Sequence, residues 1–423
     1  MVADERLIDR VRDTFSLSID RKNLIIIMVS IICYLIWLMA FPLFGPIMSN
    51  FLISLNAFNI QKGRILQIFL LTMTISSLSI GYLIDKTSKK TRFIYASALG
   101  TAILTFVFSF ENNIASLVPL AAFLGIVAGV SPPAFGAFFA DYTVPEERGR
   151  IMGVALAISM PIAYVFVALG SINVGGIKNA ELYIIGTISL LSLVTLALKP
   201  KDKTVKHKTR TTIGASNKQK TLYAIPVTIF YIVAGIIHSV VFPTILENLR
   251  PDIFYVIWAF PLFCSSIIAG LLLDNWGRKT PMIIGLAITG ISLGALGILG
   301  IRSSNITIIP LAVGYSIVTV SSLIIWADLA PAKSRGIHYG IGFSIIWFAL
   351  LLGMIVSGSI YGPIIESQLK RFMFFSAIVL FVSIPPLIIA KDALPKDIIE
   401  KKQMDRHLKQ LLRMRAKEEA RVE

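Results

Sequence analysis

The sequence predicts an all-α membrane protein of twelve transmembrane helices in two pseudo-symmetric six-helix bundles. Three observations point there. The 423 residues are 55% hydrophobic and only 15% charged, with a mean hydropathy of +0.77, where a soluble domain carries about 25% charged residues. Twelve apolar stretches are long enough to cross a bilayer, which takes roughly 20 residues each. Two loop motifs recur at nearly one offset, the mark of a duplicated unit.

In chain order the first six spans are expected at 24–47, 66–84, 93–110, 114–140, 151–169 and 182–198. The second six are expected at 221–246, 253–273, 282–301, 306–326, 339–361 and 372–390. Continuous apolar runs of this length are helices, because barrel strands alternate over about 10 residues. The expected organisation is an N-terminal segment 1–22, a bundle 23–198, a basic linker 199–220, a bundle 221–390 and a basic tail 391–423. The first span follows Asp4, Glu5, Asp9 and Asp13 with no small-residue cleavage site behind it, so it reads as a retained span rather than a secretory signal. The linker holds eight basic residues and one acid, Asp202, which suits a flexible connection. In the tail, Met404, Leu408, Leu411 and Leu412 fall at helical spacing. Both an amphipathic helix on the inner leaflet and a solvated tail fit that pattern.

Charge placement gives sidedness. Of the 40 Lys and Arg, 33 fall on the side that carries the termini and the linker. By the positive-inside rule both termini are expected in the cytoplasm of a multi-pass cell-membrane protein, with anionic lipids as partners of the basic face. The net charge of +16 comes without a groove-reading motif or zinc-ligand spacing, so nucleic acid is not an expected partner. Cys33 and Cys264 lie in separate apolar runs, which argues against a disulfide framework. No metal or cofactor is expected, and nothing suggests more than a monomer.

The first repeated loop reads Gly81-Tyr-Leu-Ile-Asp85-Lys86-Thr-Ser88-Lys89-Lys90 and returns as Gly270-Leu-Leu-Leu-Asp274-Asn-Trp-Gly277-Arg278-Lys279. The second pairs Asp141, Arg148, Gly149 and Gly153 with Asp328, Arg335, Gly336 and Gly340 at an offset of 187. A carboxylate at the membrane surface is stabilised by nearby bases or by a helix N-terminus, so each loop suits a latch that holds one conformation. The plainer reading is that these loops only enforce sidedness and tight turns.

At these residues the chain resembles the major facilitator superfamily of secondary transporters, with an outline nearest its drug- and metabolite-exporting branches. Ser88 replaces a glycine of the family motif in the first copy, and Asn275 a basic residue in the second. The resemblance implies that Asp85 works against the start of the eleventh span, around 334–336. By pseudo-symmetry Asp274 would face Arg148, Gly149 and Arg150. The implied latch is therefore Gly81, Asp85, Lys86, Lys89, Lys90, Arg148, Gly149, Arg150, Gly270, Asp274, Gly277, Arg278, Lys279, Arg335 and Gly336. Both carboxylates are expected at exposed or half-exposed sites.

In the resembling fold, spans one, four, seven and ten line a central cavity. Their mid-depth polar and aromatic residues are Tyr34, Trp37, Ser131, Tyr231, Tyr315 and Thr319, with His238 about one turn beyond the middle of the seventh span. These are the candidate solute contacts. Each has an ordinary alternative: hydroxyls bonding their own helix, aromatics in an interface belt, a neutral histidine bonded to its neighbour. Trp326 reads as such a belt residue.

No Asp, Glu, Lys or Arg falls near the middle of any span. Where the exporting branch has an arginine four residues before Gly125, this chain has Ala121, and the branch's Gly-Pro motif survives only as Pro161. The function expected is alternating-access movement of a small neutral or amphipathic solute, with no bond made or broken. The alternatives are a proton-coupled multidrug or metabolite exporter, and a non-transporting membrane sensor or scaffold. No nucleophile–base pair, metal cluster or phosphate-cradling loop suggests an enzyme.

Overall fold

The computed structural model describes residues 17, 19–39, 51–52, 55, 59–87, 89–170, 180–198, 215–248, 251–300, 304–357, 366–394 and 404. Among these the regular structure is helix, with no strand. Helix α1 is Arg21–Leu38, α2 Asn59–Thr87 and α3 Lys90–Phe110. Helix α4 is Ile114–Ala128 resumed as Ser131–Tyr142, α5 is Arg148–Gly170, and α6 is Ala180–Leu191 extended by a tighter stretch, Ser192–Leu198. Helix α7 runs Asn217–Ile236, widens to a π turn over Ile237–Val241 and ends as Phe242–Asn248. Then come α8 Pro251–Trp276, α9 Lys279–Leu299, α10 Ser304–Leu329, α11 Arg335–Val356, and α12 Glu366–Val382 resumed as Ile384–Ile389.

The described part of each of the twelve predicted spans overlaps one of these helices; residues 40–47 of the first span, 301 of the ninth and 358–361 of the eleventh lie outside the described residues. Among the described residues, all but α5 and α6 are long and apolar enough to cross a membrane, and α6 contributes a shorter apolar stretch, Leu182–Thr195. One boundary moves. Residues 217–220 belong to α7 rather than to a linker, because Ser216 caps that helix by accepting from Gln219 N at 3.3 Å. Ala215 N also donates to Leu329 O, tying the end of the linker to α10. The rest of the linker, and the tail beyond 394 apart from Met404, lie outside the described residues.

Burial separates central from peripheral helices. Helix α10 has 83% of its most apolar stretch inside the protein, and α1, α7 and α11 have 67%, against 33% for α12. The apolar residues α12 turns outward, such as Phe374, Phe375 and Val382, suit lipid as solvent.

The break in α4 follows from Pro132-Pro133. Neither proline can donate to the carbonyl four residues back, so Ala128 O and Gly129 O lose their helical partners. Tyr34 on α1 donates to Ala128 O at 3.1 Å, and Ser77 on α2 donates to Gly129 O at 2.9 Å. Just above the break, Ser76 donates to Ile126 O at 2.6 Å and Ser97 on α3 donates to Val127 O at 2.7 Å. A broken helix survives in a membrane only when its freed carbonyls are satisfied this way.

The two sequence halves meet chiefly through α2 against α11 and α5 against α8. These pairs are related by the internal duplication, since α2 matches α8 and α5 matches α11.

Candidate functional site: paired crossings and an enclosed pocket

Both crossings lie at the end of the protein that carries the basic loops. Where α2 meets α11, backbone approaches backbone: a Cβ on Gly81 would lie 2.7 Å from Gly336 O and 3.0 Å from the Gly340 Cα. Only glycine permits that approach. One turn on, Asp85 accepts hydrogen bonds from Gly336 N and Ile337 N, both at 2.8 Å. These are free N–H groups of the first turn of α11, where the helix dipole also favours a negative charge.

The α8–α5 crossing repeats the arrangement, with Gly270 against Gly149. Asp274 accepts from Gly149 N at 2.8 Å and from Arg150 N at 3.0 Å. It also takes a bond from Arg150 Nε and one from Arg278 Nη1, each at 3.0 Å. Asp274 is 1% exposed, so the expectation of an exposed or half-exposed carboxylate fails here. The closing of α8 on α5 removes water, and the two guanidiniums replace it.

Two further carboxylates join the halves. Asp141, at the end of α4, pairs with Lys90 of its own half and with Arg335 of the other at 2.8 Å. Asp328, at the end of α10, pairs with Arg278 of its own half at 2.6 Å and with Arg148 of the other at 2.5 Å. Arg148 and Arg278 are among the largest fully buried side chains. Burial works against the Arg278 charge, yet Asp328 and Asp274 hold its pKa above the ordinary guanidinium value, so it stays charged.

Between the halves lies a cavity of only about 10 Å³, room for one water at most. Its walls come from α1 (Ile31, Leu35), α4 (Phe135, Gly136), α5 (Met152), α10 (Leu323) and α11 (Tyr339, Phe343). A family model of the Major Facilitator Superfamily matches residues 26–249, just over half of the chain. The chain belongs to the Major Facilitator Superfamily.

Other comparisons agree with that membership. A solved structure of the human organic anion transporter MFSD10 (TETRAN) superposes with a TM-score of 0.67 over 87% of this chain and 99% of that one, at 12% identity, a likeness of fold. An uncharacterized MFS-type transporter of Methanocaldococcus jannaschii is 24% identical over 178 residues. That alignment spans 40% of this chain and 45% of the relative, so the chain covers just under half the length of the curated relative it matches. The family is one of transporters rather than enzymes.

The remaining latch candidates divide. Lys86 and Lys89 are exposed. Gly277 has φ +88°, and its close neighbour is the carboxylate of Asp392. Asp392 caps α9 by accepting from Arg278 N at 2.9 Å and Lys279 N at 3.2 Å. Lys279 Nζ donates to Ile388 O and Ala390 O at 2.6 and 3.0 Å, so this part of the motif holds the chain leaving α12 and does not face the first half.

The solute candidates are scattered rather than gathered. Trp37 is fully buried and its indole donates to Thr105 Oγ1 of α3 at 3.0 Å, inside the first half. Tyr34 serves the α4 break and meets Phe135 edge-on at 5.2 Å, and Ser131 is buried at the same break. In the second half, Tyr231 bonds Ser322 at 2.8 Å, and Thr319 donates to Tyr315 O of its own helix at 2.8 Å. His238 Nε2 and Tyr315 Oη are 3.0 Å apart, with Phe242 and Trp258 packed around them. Trp326 is buried against Gly342 rather than standing in a belt. Residues outside both candidate sets also matter: Asp141, Asp328 and Asp392 carry the ion pairs and a cap, and Tyr339 and Phe343 line the cavity.

Proposed function

We propose that this protein moves a small neutral or amphipathic solute across the cell membrane by alternating access, with its termini and basic loops in the cytoplasm. The observation that carries this reading is the pair of carboxylate-capped glycine crossings at the basic end. Each joins the C-terminal end of one helix to the N-terminal end of another, and neither is part of either half's own packing. Two such contacts can part and re-form while each half moves as a body. The arrangement corresponds to a state shut toward the cytoplasm.

The absence of mid-span charge in the sequence and the apolar cavity wall favour an uncharged cargo, since an unpaired buried ion is costly. On this reading His238 helps to hold the α7–α10 aromatic cluster, and net flux follows the solute gradient without a proton. The protein works as a monomer, with Lys86 and Lys89 meeting anionic lipid headgroups.

The test is a thiol cross-link across one crossing. Ser344 Oγ on α11 donates to Thr74 O on α2 at 2.8 Å, so Thr74→Cys with Ser344→Cys, on a background lacking Cys33 and Cys264, places the pair within reach of a short bifunctional reagent. Cross-linking in proteoliposomes should stop solute flux, and a reducible linker should restore it on cleavage. Flux that continues with the link intact overturns the proposal. An ionophore that collapses ΔpH should leave flux unchanged; solute-dependent proton movement lost in His238→Ala would instead establish the proton-coupled exporter.

A further inference from the structure

The space between the halves holds a feature the latch does not use. Along α11, Tyr339, Phe343 and Trp347 recur every fourth residue, so they share one face. Their rings stack in series, with centroids 6.1 and 5.9 Å apart and interplanar angles of 21° and 20°. Tyr339 and Phe343 line the enclosed cavity opposite Ile31 and Phe135 of the other half, and Gly136 leaves room for the Tyr339 ring.

Tyr339 is 1% exposed and Trp347 4%, yet neither Tyr339 Oη nor Trp347 Nε1 has a hydrogen-bond partner among the described residues. Buried donors normally find one, and four others on cavity-side helices do: Tyr34, Trp37, Tyr231 and Tyr315 are all bonded. Trp326 Nε1 is also bare, but its ring packs on Gly342 and is not part of the stacked series on α11. The two bare donors on the stripe therefore belong to one series of stacked rings, whose Tyr339–Phe343 end lines the cavity between the halves.

We propose that Tyr339, Phe343 and Trp347 form the solute-recognition strip. It takes a flat, uncharged, conjugated compound that carries hydrogen-bond acceptors. The plane of the solute lies along Phe343, while Tyr339 Oη and Trp347 Nε1 donate to its oxygens or nitrogens. An indole N–H can only donate, so a solute offering only donors gains nothing from Trp347. The hydrocarbon of Ile31 and Leu35 on the facing wall disfavours a charged group. This inference rests on the transport reading for its site, and extends it to the chemistry of the cargo.

The test uses matched probes on purified protein in detergent: 9-fluorenone beside fluorene, 2-acetylnaphthalene beside 2-ethylnaphthalene, and 2-naphthoate as the anion. Wild type should bind each ketone about 3–10-fold tighter than its hydrocarbon partner, the worth of one net hydrogen bond. Tyr339→Phe and Trp347→Phe should each reduce that ratio, because each removes one donor and keeps an aromatic ring. Tyr339→Phe should also melt no lower than wild type, because it removes an unpartnered hydroxyl and keeps the ring. Equal binding of ketone and hydrocarbon by wild type, an unchanged ratio in both variants, or tightest binding of 2-naphthoate would overturn the proposal. Because the ratio is read without flux, the outcomes separate. A protein that passes the cross-link test but lacks the ratio disproves the strip alone, and one that keeps the ratio but ignores the cross-link disproves the transport reading alone.

Discussion

At the α2–α11 crossing, Asp85 is half-buried and holds two backbone N–H groups of α11. At the α8–α5 crossing, Asp274 is 1% exposed and holds two N–H groups of α5 together with the guanidiniums of Arg150 and Arg278. The glycines and the carboxylate recur, as do the pairings of Asp141 and Asp328 across the halves, while the guanidiniums on the crossing carboxylate itself do not. Lys86 and Lys89 of the first copy stay exposed. Arg278 turns inward, where it also donates to Leu273 O and Pro145 O and pairs with Asp328. A lysine is a point charge, whereas an arginine's five donors can satisfy several acceptors at once. Duplication thus preserved the position of the contact and let its bonding diverge: Asp85 holds backbone donors, and Asp274 adds two guanidiniums.

The largest effect that tests this difference should come from Asp274→Asn, which leaves a fully buried Arg278 short of counter-charge. Breaking a buried pair costs about 3–5 kcal/mol, so the melting temperature in detergent and the yield of folded protein should both fall clearly. Equal melting of Asp274→Asn and Asp85→Asn would break the comparison. Next in size is Gly149→Ala, whose Cβ would lie 2.6 Å from Asp274 Oδ1 and closer still to Gly270 O. Forcing the crossing apart should cost about 1–3 kcal/mol, read as increased labelling of a cysteine placed at the basic end.

Asp85→Asn removes a charge–dipole term of about 0.3–1 kcal/mol at a half-exposed site. It should leave melting almost unchanged and shift the conformational equilibrium by a few-fold, seen as changed accessibility of that same cysteine. The smallest effect belongs to Lys86→Gln with Lys89→Gln, two exposed side chains whose loss should leave both melting and labelling at wild-type levels. A large effect there would mean that the first crossing depends on its cations after all.

Much of this was legible in the chain itself. Twelve spans could be located because lipid demands a fixed length of apolar helix. The meeting of Asp85 with the start of α11 was implied by the family resemblance, and the recurring loops extend it by pseudo-symmetry to Asp274 and the start of α5. What could not be read was helix rotation. A membrane helix is apolar toward lipid and toward its neighbours alike, so Trp37 gives no sign that it faces Thr105 on α3 rather than the other half. The α11 stripe is visible as an every-fourth-residue aromatic pattern, Tyr339, Phe343 and Trp347, but the family resemblance directs attention to spans one, four, seven and ten. The burial of Asp274 was hidden because one residue, Asn275 in place of a base, tells nothing of where Arg278 points.

The break in α4 bears on how the chain is assembled. Its four carbonyls, from Ile126 to Gly129, take their hydrogen bonds from Tyr34, Ser76, Ser77 and Ser97. All four donors precede α4 in the sequence, on α1, α2 and α3. During synthesis, from the N-terminus onward, those helices enter the bilayer before Pro132-Pro133 does. The exposed backbone of the break therefore meets donors already in place, and Tyr34→Phe or Ser77→Ala should delay or divert insertion of α4 more than it weakens the finished protein.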